Sequence, residues 1–212
     1  MPLFHTRELD SHTLLGIWTL EEEPEELLHT LPPHFDAQQA LAHTHPRRQR
    51  EWLASRVLVY QLLQRFTAEP LPLLRDLTGK PLLQKEGLHL SITHSPSLAA
   101  VILSDRYEVG IDIEYISPKA LRVADKFLTE RERILTADDE LKTCLYWSAK
   151  ETLYKMYGKK QLVFKENLFV EPAQGAENNV LQGQVITDKF SKLYQIQHEL
   201  LLGHVLTYSI DK

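Results

Sequence analysis

Two short segments of this 212-residue chain carry residue types that could do chemistry together. The first is Gly110-Ile111-Asp112-Ile113-Glu114. Read as a strand, its alternation puts Asp112 and Glu114 on one face and Ile111 and Ile113 on the other. Adjacent carboxylates repel each other unless a cation joins them. Magnesium, a hard cation, suits one or two carboxylates plus a phosphate oxygen. Taken alone, the segment reads as well as the acidic outward face of a half-exposed edge strand. The second segment is Trp147-Ser148-Ala149-Lys150-Glu151-Thr152-Leu153-Tyr154-Lys155. On a helix, Trp147, Lys150, Glu151, Tyr154 and Lys155 fall along one stripe. An i,i+4 pair between Glu151 and Lys155, worth roughly 0.2–0.5 kcal/mol, beside a core tryptophan also accounts for it. Two lysines and an acid among large aromatics are costly to bury without ligands. They are also what a phosphate site with an acid for metal or proton work needs.

Two weaker features stand upstream. Ser91-Ile92-Thr93-His94-Ser95 reads as a strand entering a turn, where His94 could donate to a phosphate and Thr93 could offer a hydroxyl. A strand-end histidine without a ligand is the plainer alternative. Gly79-Lys80-Pro81 presents a lysine in a turn and says little by itself. No histidine pair makes a persuasive case for a zinc site. Neither the Walker-type phosphate loop nor the dinucleotide glycine pattern is present.

The elements that must position these residues follow from pattern. Apolar-rich strands are expected at 14–20, 88–93, 99–104 and 109–114. A short helix is expected at 24–31. A longer one begins at Pro46 and runs to about 66, with Trp52, Leu53, Val57, Tyr60, Leu63 and Phe66 at near-helical spacing. Residues 78–81 look like a hairpin turn. Further helices are expected at 120–128 and 138–157, the latter stopped by Gly158. Thr129 and Glu132 match a capping box. The stretch 162–210 reads as strands with polar turns. This order implies two α+β halves, 1–106 and 107–212, joined near 105–109.

Composition narrows the classes. A chain 43% hydrophobic and 25% charged is that of a soluble globular protein with a real core. No apolar run approaches the ~18 residues of a membrane span, and no signal peptide is visible at the start. One cysteine, Cys144, excludes an intramolecular disulfide and is expected as a buried core residue. A reducing, cytoplasmic setting is expected. A formal net charge of −5 argues against general nucleic-acid binding. Arg47, Arg48, Arg50 and Arg56 nevertheless cluster around a single acid, Glu51. They form either a solvated helix face or an anion-binding surface.

Together, the order and interval of the two main segments resemble the 4′-phosphopantetheinyl transferase superfamily. That family carries Gly-Ile/Val-Asp with an acid two residues on, then Trp/Phe-Ser/Cys/Thr-x-Lys-Glu-Ala/Ser-x-x-Lys about 40 residues later. The upstream features and Phe127-Leu128-Thr129-Glu130-Arg131-Glu132 resemble its surfactin-synthetase-activating type in particular. The resemblance covers about 47–165. Two positions depart mildly: Thr152 replaces a small residue, and Thr93 replaces serine but keeps a hydroxyl; Arg50 stands where the family varies.

The resemblance implies an enzyme that moves the phosphopantetheine arm of coenzyme A onto a serine of an acyl, peptidyl or polyketide carrier protein, releasing 3′,5′-ADP. It implies an α+β fold of two similar halves related by a pseudo-two-fold axis, as a monomer with the active site between the halves. Magnesium, or manganese, would be held by Asp112 and Glu151, with Glu114 as a third ligand or acting through water. Glu151 would also be the general base for the carrier serine, directly or through a metal-bound water. Lys150 and Lys155 would hold phosphate oxygens, and Lys155 would protonate the leaving group. Arg50, Lys80, Thr93 and His94 would bind the 3′-phosphate and pyrophosphate, with Arg47, Arg48 and Arg56 as weaker candidates. Glu132 matches a family acid near the site. The competing expectations are a non-catalytic coenzyme A- or carrier-binding module and a different magnesium-dependent phosphotransferase.

Overall fold

The computed structural model describes residues 3–35, 45–159, 161–173, 175 and 179–212, with backbone alone at 3 and 4. The chain divides into two compact units, Met1–Tyr107 and Glu108–Lys212. Each is α+β.

Unit 1 holds an antiparallel sheet of order β1-β2-β6-β5. Its strands are β1 (Leu3–Asp10), β2 (Thr13–Thr19), β5 (His89–His94) and β6 (Leu98–Ser104). The central strands β2 and β6 are buried almost throughout and are rich in Leu, Ile, Val and Ala. Edge strand β1, LFHTRELD, lacks the apolar run that marks its neighbours and is not legible as a strand. Helix α1 (Pro24–Thr30) starts at a capping box between Glu23 and Glu26. Helix α2 (Pro46–Leu63) opens on Pro46 after N-cap His45 and buries Leu53, Val57, Leu58 and Leu62. These side chains share a core with Trp18, Val101 and Leu103. A separate hairpin pairs β3 (Leu73–Arg75) with β4 (Pro81–Leu83), wider than the turn expected at 78–81.

Unit 2 is a five-stranded antiparallel sheet of order β7-β11-β10-β9-β8. Its strands are β7 (Glu108–Tyr115), β8 (Leu168–Pro172), β9 (Val180–Thr187), β10 (Phe190–Leu201) and β11 (His204–Asp211). The helix expected at 120–128 is shorter: α3 (Lys119–Val123) gives way to a 3₁₀ turn, Ala124–Lys126. Next comes α4 (Glu130–Thr136), whose N-cap Thr129 accepts the Glu132 amide while Glu132 accepts the Thr129 amide. The main helix, α5 (Glu140–Tyr157), is capped by Asp139 and stopped by Gly158 at φ 69°. A one-turn helix, α6 (Phe164–Asn167), precedes β8. Helix α5 packs on the sheet through Ala149, Leu153 and Met156, in a core with Phe127, Leu168, Val185 and Ile196. Among the described residues, no helix is long and apolar enough to cross a membrane.

Candidate active site

In unit 2 the site is made where α5 lies against β7. The close approach depends on Gly110. A Cβ there would stand 2.9 Å from the Met156 side chain and from the Thr152 carbonyl oxygen, so only glycine admits the helix. Hydroxyls fasten the same helix to β11. Ser148 Oγ lies 2.9 Å and Thr152 Oγ1 2.8 Å from Thr207 Oγ1. Thr207 in turn sits opposite Asp112 in the sheet register. Thr152, a mild departure in sequence terms, thus puts its hydroxyl to use in seating the helix.

This packing brings Asp112, Glu114, Glu151 and Lys155 into one electrostatic neighbourhood. Asp112 is 4% exposed. Lys155 donates to Asp112 Oδ1 at 2.9 Å and to the Ile111 carbonyl oxygen at 2.8 Å. Glu151 is pushed up to about 7, first by burial and then by the negative charge of Asp112. Lys155 opposes the shift and Glu114 adds to it. Glu114 is also pushed up, by burial and then by Asp112, and is pulled back by the Trp147 indole N–H. That N–H donates to Glu114 Oε1 at 2.8 Å.

Carboxylates that raise one another in a half-buried site are relieved by a cation, and an all-oxygen acidic donor set is suited to a hard divalent ion. The residues are therefore chemically suited to such an ion, with Asp112 on strand β7 and Glu151 on helix α5. Among the described residues, however, no three acidic, histidine or cysteine side chains are arranged to hold a metal. The expected trio of Asp112, Glu114 and Glu151 is thus not a preformed cage. Magnesium does not require such a cage, since it commonly keeps waters and takes only one or two carboxylates plus substrate phosphate.

Lys150 is a correction. Expected at phosphate, its side chain is fully buried, and its ammonium is consumed within unit 2. It donates to the Phe127 carbonyl oxygen at 2.6 Å and to Glu132 Oε2 at 2.7 Å. The Phe164 carbonyl oxygen lies at 3.5 Å. At 100° per residue, Lys150 and Lys155 are about 140° apart around the helix, so a stripe broad enough to hold both faces two environments. Glu132 is buried as well. It takes the Thr129 amide and Lys150 on one oxygen and the Val170 amide on the other. The acid that sequence alone left without a role therefore joins α4, α5 and β8.

Unit 1 carries the other expected residues. Arg50 donates to Glu23 Oε1 at 2.8 Å, so its charge is partly answered inside the unit. His94 Nδ1 lies 3.5 Å from buried Glu51, which Arg47 also reaches at 2.8 Å and Arg48 at 3.4 Å. One acid thus gathers three of the cationic candidates. Thr93 is buried on β5, next to His94. Lys80 ends the β3–β4 turn. There Asp76 Oδ1 accepts from the Thr78 amide, the Thr78 hydroxyl and the Lys80 amide, and Gly79 takes φ 86°.

Arg56, a weaker candidate in the sequence, and Arg75, which the sequence did not single out, come together in unit 1. Arg56 is 7% exposed, lies over the Trp52 ring at 4.3 Å, and donates to the Ser55 hydroxyl. Burial first, and then the charge of Arg75, bring its pKa down to about 9. Arg75 donates to the Gly79 carbonyl oxygen. Among the described residues neither arginine makes an ion pair with an acid. Both line a cavity of about 210 Å³ with Phe35, Trp52, Leu73 and Leu74. Two like charges beside one small cavity suit an anion such as phosphate.

The acids of unit 2 suit a divalent ion, as phosphoryl-transfer chemistry uses, and in unit 1 buried Arg56 and exposed Arg75 line a cavity that suits phosphate. Comparison with known proteins gives the same class. Residues 108–209 match the profile of the 4′-phosphopantetheinyl transferase superfamily, and residues 36–104 match that of the 4′-phosphopantetheinyl transferase N-terminal domain. The chain is similar to the 4′-phosphopantetheinyl transferase AcpT of Escherichia coli (strain K12), with 41% identity over 92 residues, 42% of this chain and 43% of the relative. It is also similar to AcpT of Salmonella typhimurium (strain LT2), with 32% identity over 120 residues, 52% of this chain and 60% of the relative. The chain spans about half the length of the curated relatives it matches. It belongs to the 4′-phosphopantetheinyl transferase superfamily.

Proposed function

We propose that the protein transfers the 4′-phosphopantetheine group of coenzyme A to a serine hydroxyl of an apo carrier protein, with magnesium, releasing 3′,5′-ADP. The observation that carries this reading is Glu151, a half-buried carboxylate raised to about 7 beside Asp112 and Lys155. A group titrating there is poised to accept a proton near neutral pH.

In this mechanism Asp112 and Glu151 would hold the metal ion. When bound, it neutralises charge that grows on the pyrophosphate oxygens. Glu151 accepts the proton of the carrier serine. The serine oxygen forms a bond to the phosphorus next to the pantetheine arm, and the bond from that phosphorus to the bridging pyrophosphate oxygen breaks. The leaving phosphate belongs to 3′,5′-ADP, and Lys155 supplies it with positive charge and a donor. Arg56 and Arg75 take phosphate oxygens of the nucleotide end, together with Lys80 and His94, while Arg50 and Thr93 act in support. Little covalent work falls to the protein in such a transfer, so positioning and charge dominate. The lone buried cysteine fits a monomer working in the reducing cytoplasm, which we propose as its state and place.

A fluorescent coenzyme A analogue incubated with the protein, magnesium and an apo carrier tests the reading. Label should appear on the carrier and should be lost when the carrier's acceptor serine is replaced by alanine. Labelling that survives the serine replacement, or none with any carrier of the three classes, contradicts it.

A further inference from the structure

Two strands grip helix α5 at the same residue, Thr152, which stands next to Glu151. On the β7 side the Thr152 carbonyl oxygen lies over Gly110, where an added Cβ would stand 2.9 Å from it. On the β11 side the Thr152 hydroxyl meets Thr207. Ser148, Thr152 and Thr207 are all fully buried. Thr152 Oγ1 donates to the Thr207 carbonyl oxygen at 3.2 Å and so uses its one proton. The 2.8 Å contact between Thr152 Oγ1 and Thr207 Oγ1 is then donated by Thr207. That leaves Ser148 as the donor in its 2.9 Å contact with Thr207 Oγ1. The three hydroxyls form one directed chain in which every proton is used.

We propose that Thr207 is a positioning residue for the transfer: its hydroxyl fixes the register of α5 on the sheet and so holds Glu151 and Lys155 at Asp112. Burial of Leu153 and Met156 draws the helix onto the sheet, but that attraction is non-directional, and a methionine side chain adapts to small shifts. The hydroxyl chain is directional and tolerates displacements of only roughly 0.5 Å. A slip of one residue would turn α5 by about 100° and move it about 1.5 Å along its axis. Lys155 would then leave the Ile111 carbonyl oxygen and Asp112 Oδ1, which it reaches at 2.8 and 2.9 Å. Thr207 sits opposite Asp112 in the register, so one rung of the sheet carries both the acid and the hydroxyl that sets the helix over it. The inference deepens the proposed function and rests on it: that reading gives Glu151 and Lys155 their roles, and Thr207 gives them their place.

The test measures carrier labelling at saturating coenzyme A, and the affinity of the full chain for coenzyme A. The proteins are the wild type, Thr207→Val, Thr207→Ser, Thr152→Val and the double valine variant. Valine keeps the shape of threonine and removes the hydroxyl. The expected result is a turnover per folded molecule about 10- to 100-fold lower in Thr207→Val, with coenzyme A affinity unchanged. Thr207→Ser, which keeps the hydroxyl, should recover most of the rate. Both valine substitutions break the same chain, so the double variant should be little slower than either alone. Normal turnover in folded Thr207→Val overturns the inference, and so do losses that multiply in the double variant. A Thr207→Ser variant as slow as Thr207→Val also overturns it, since the hydroxyl would then not be the feature that matters. If Thr207→Val does not fold, Thr152→Val breaks the chain from the helix side, and its turnover decides in the same way. A wild type that labels no carrier overturns the proposed function and this inference with it. A wild type that labels, beside a Thr207→Val variant that labels equally, leaves the proposed function standing and removes only the role of Thr207.

Discussion

Replacing Glu151 with glutamine should stabilise the metal-free protein while stopping transfer. Burial and the charge of Asp112 raise Glu151 from 4.5 to about 7. At 1.36 kcal/mol per pKa unit, ionising it in the folded state costs up to about 3 kcal/mol relative to the unfolded chain. Glu151 is not fully buried, and glutamine keeps a desolvated amide, so about 1–2 kcal/mol is the realistic gain. The sign follows from proton binding. The folded state holds this proton more tightly than the unfolded state, so the penalty is absent below about 4.5. It grows as pH rises between 4.5 and 7 and is complete above 7. Thermal melts in EDTA at pH 5 and pH 8 read it directly. For a chain of this size, Glu151→Gln should melt roughly 2–8 °C above the wild type at pH 8. The difference should be much smaller at pH 5. Added magnesium should raise the wild type more than the variant. A variant no more stable than the wild type at pH 8, or a gain equal at both pH values, would refute the reasoning about this site.

Other outcomes follow from the same geometry. Lys150→Met should cost about 3–5 kcal/mol in urea unfolding, because it strands Glu132 as a buried charge, and should leave the affinity of the folded fraction for coenzyme A unchanged. Weaker coenzyme A binding with normal stability would return Lys150 to the phosphate. Arg56→Gln should weaken coenzyme A binding roughly 10- to 100-fold, the worth of a charge-assisted hydrogen bond, without lowering the melting temperature. Loss of stability without loss of affinity would make Arg56 structural only. Mn²⁺ affinity should fall as pH drops below about 7, since protons compete for Glu151. A flat pH profile would show that Glu151 takes no part in binding.

The sequence made the acids legible because their chemistry is local. Alternation on a strand fixed Asp112 and Glu114 to one face, and the interval to Glu151 matched a family pattern. Long-range contacts were not legible. The bond from Trp147 to Glu114 joins residues 33 apart, and no periodicity forecasts it. Lys150 was misplaced because a helical stripe says which side chains are neighbours, not which side of the stripe meets the core. Arg56 drew little weight in the sequence for the opposite reason. Its weight comes from burial and from the lack of an acid partner among the described residues, neither of which composition records. Among the elements, β2, β6 and α5 carry strong apolar patterns and were readable, whereas β1 is a polar edge strand paired only with β2 and shows no such pattern. The helix expected at 120–128 tightens after Val123 into the 3₁₀ turn that leads to Phe127, whose carbonyl accepts from Lys150. That constraint is tertiary and leaves no mark on the local pattern.

The central claim is phosphopantetheine transfer, and the intact mass of a carrier protein tests it most directly. An apo carrier incubated with this protein, magnesium and coenzyme A should gain the mass of one phosphopantetheine group, matched by one equivalent of 3′,5′-ADP. The gain should vanish in EDTA and with Glu151→Gln. Carriers of the acyl, peptidyl and polyketide classes that all keep their apo mass, with a protein shown to bind coenzyme A, would contradict the account.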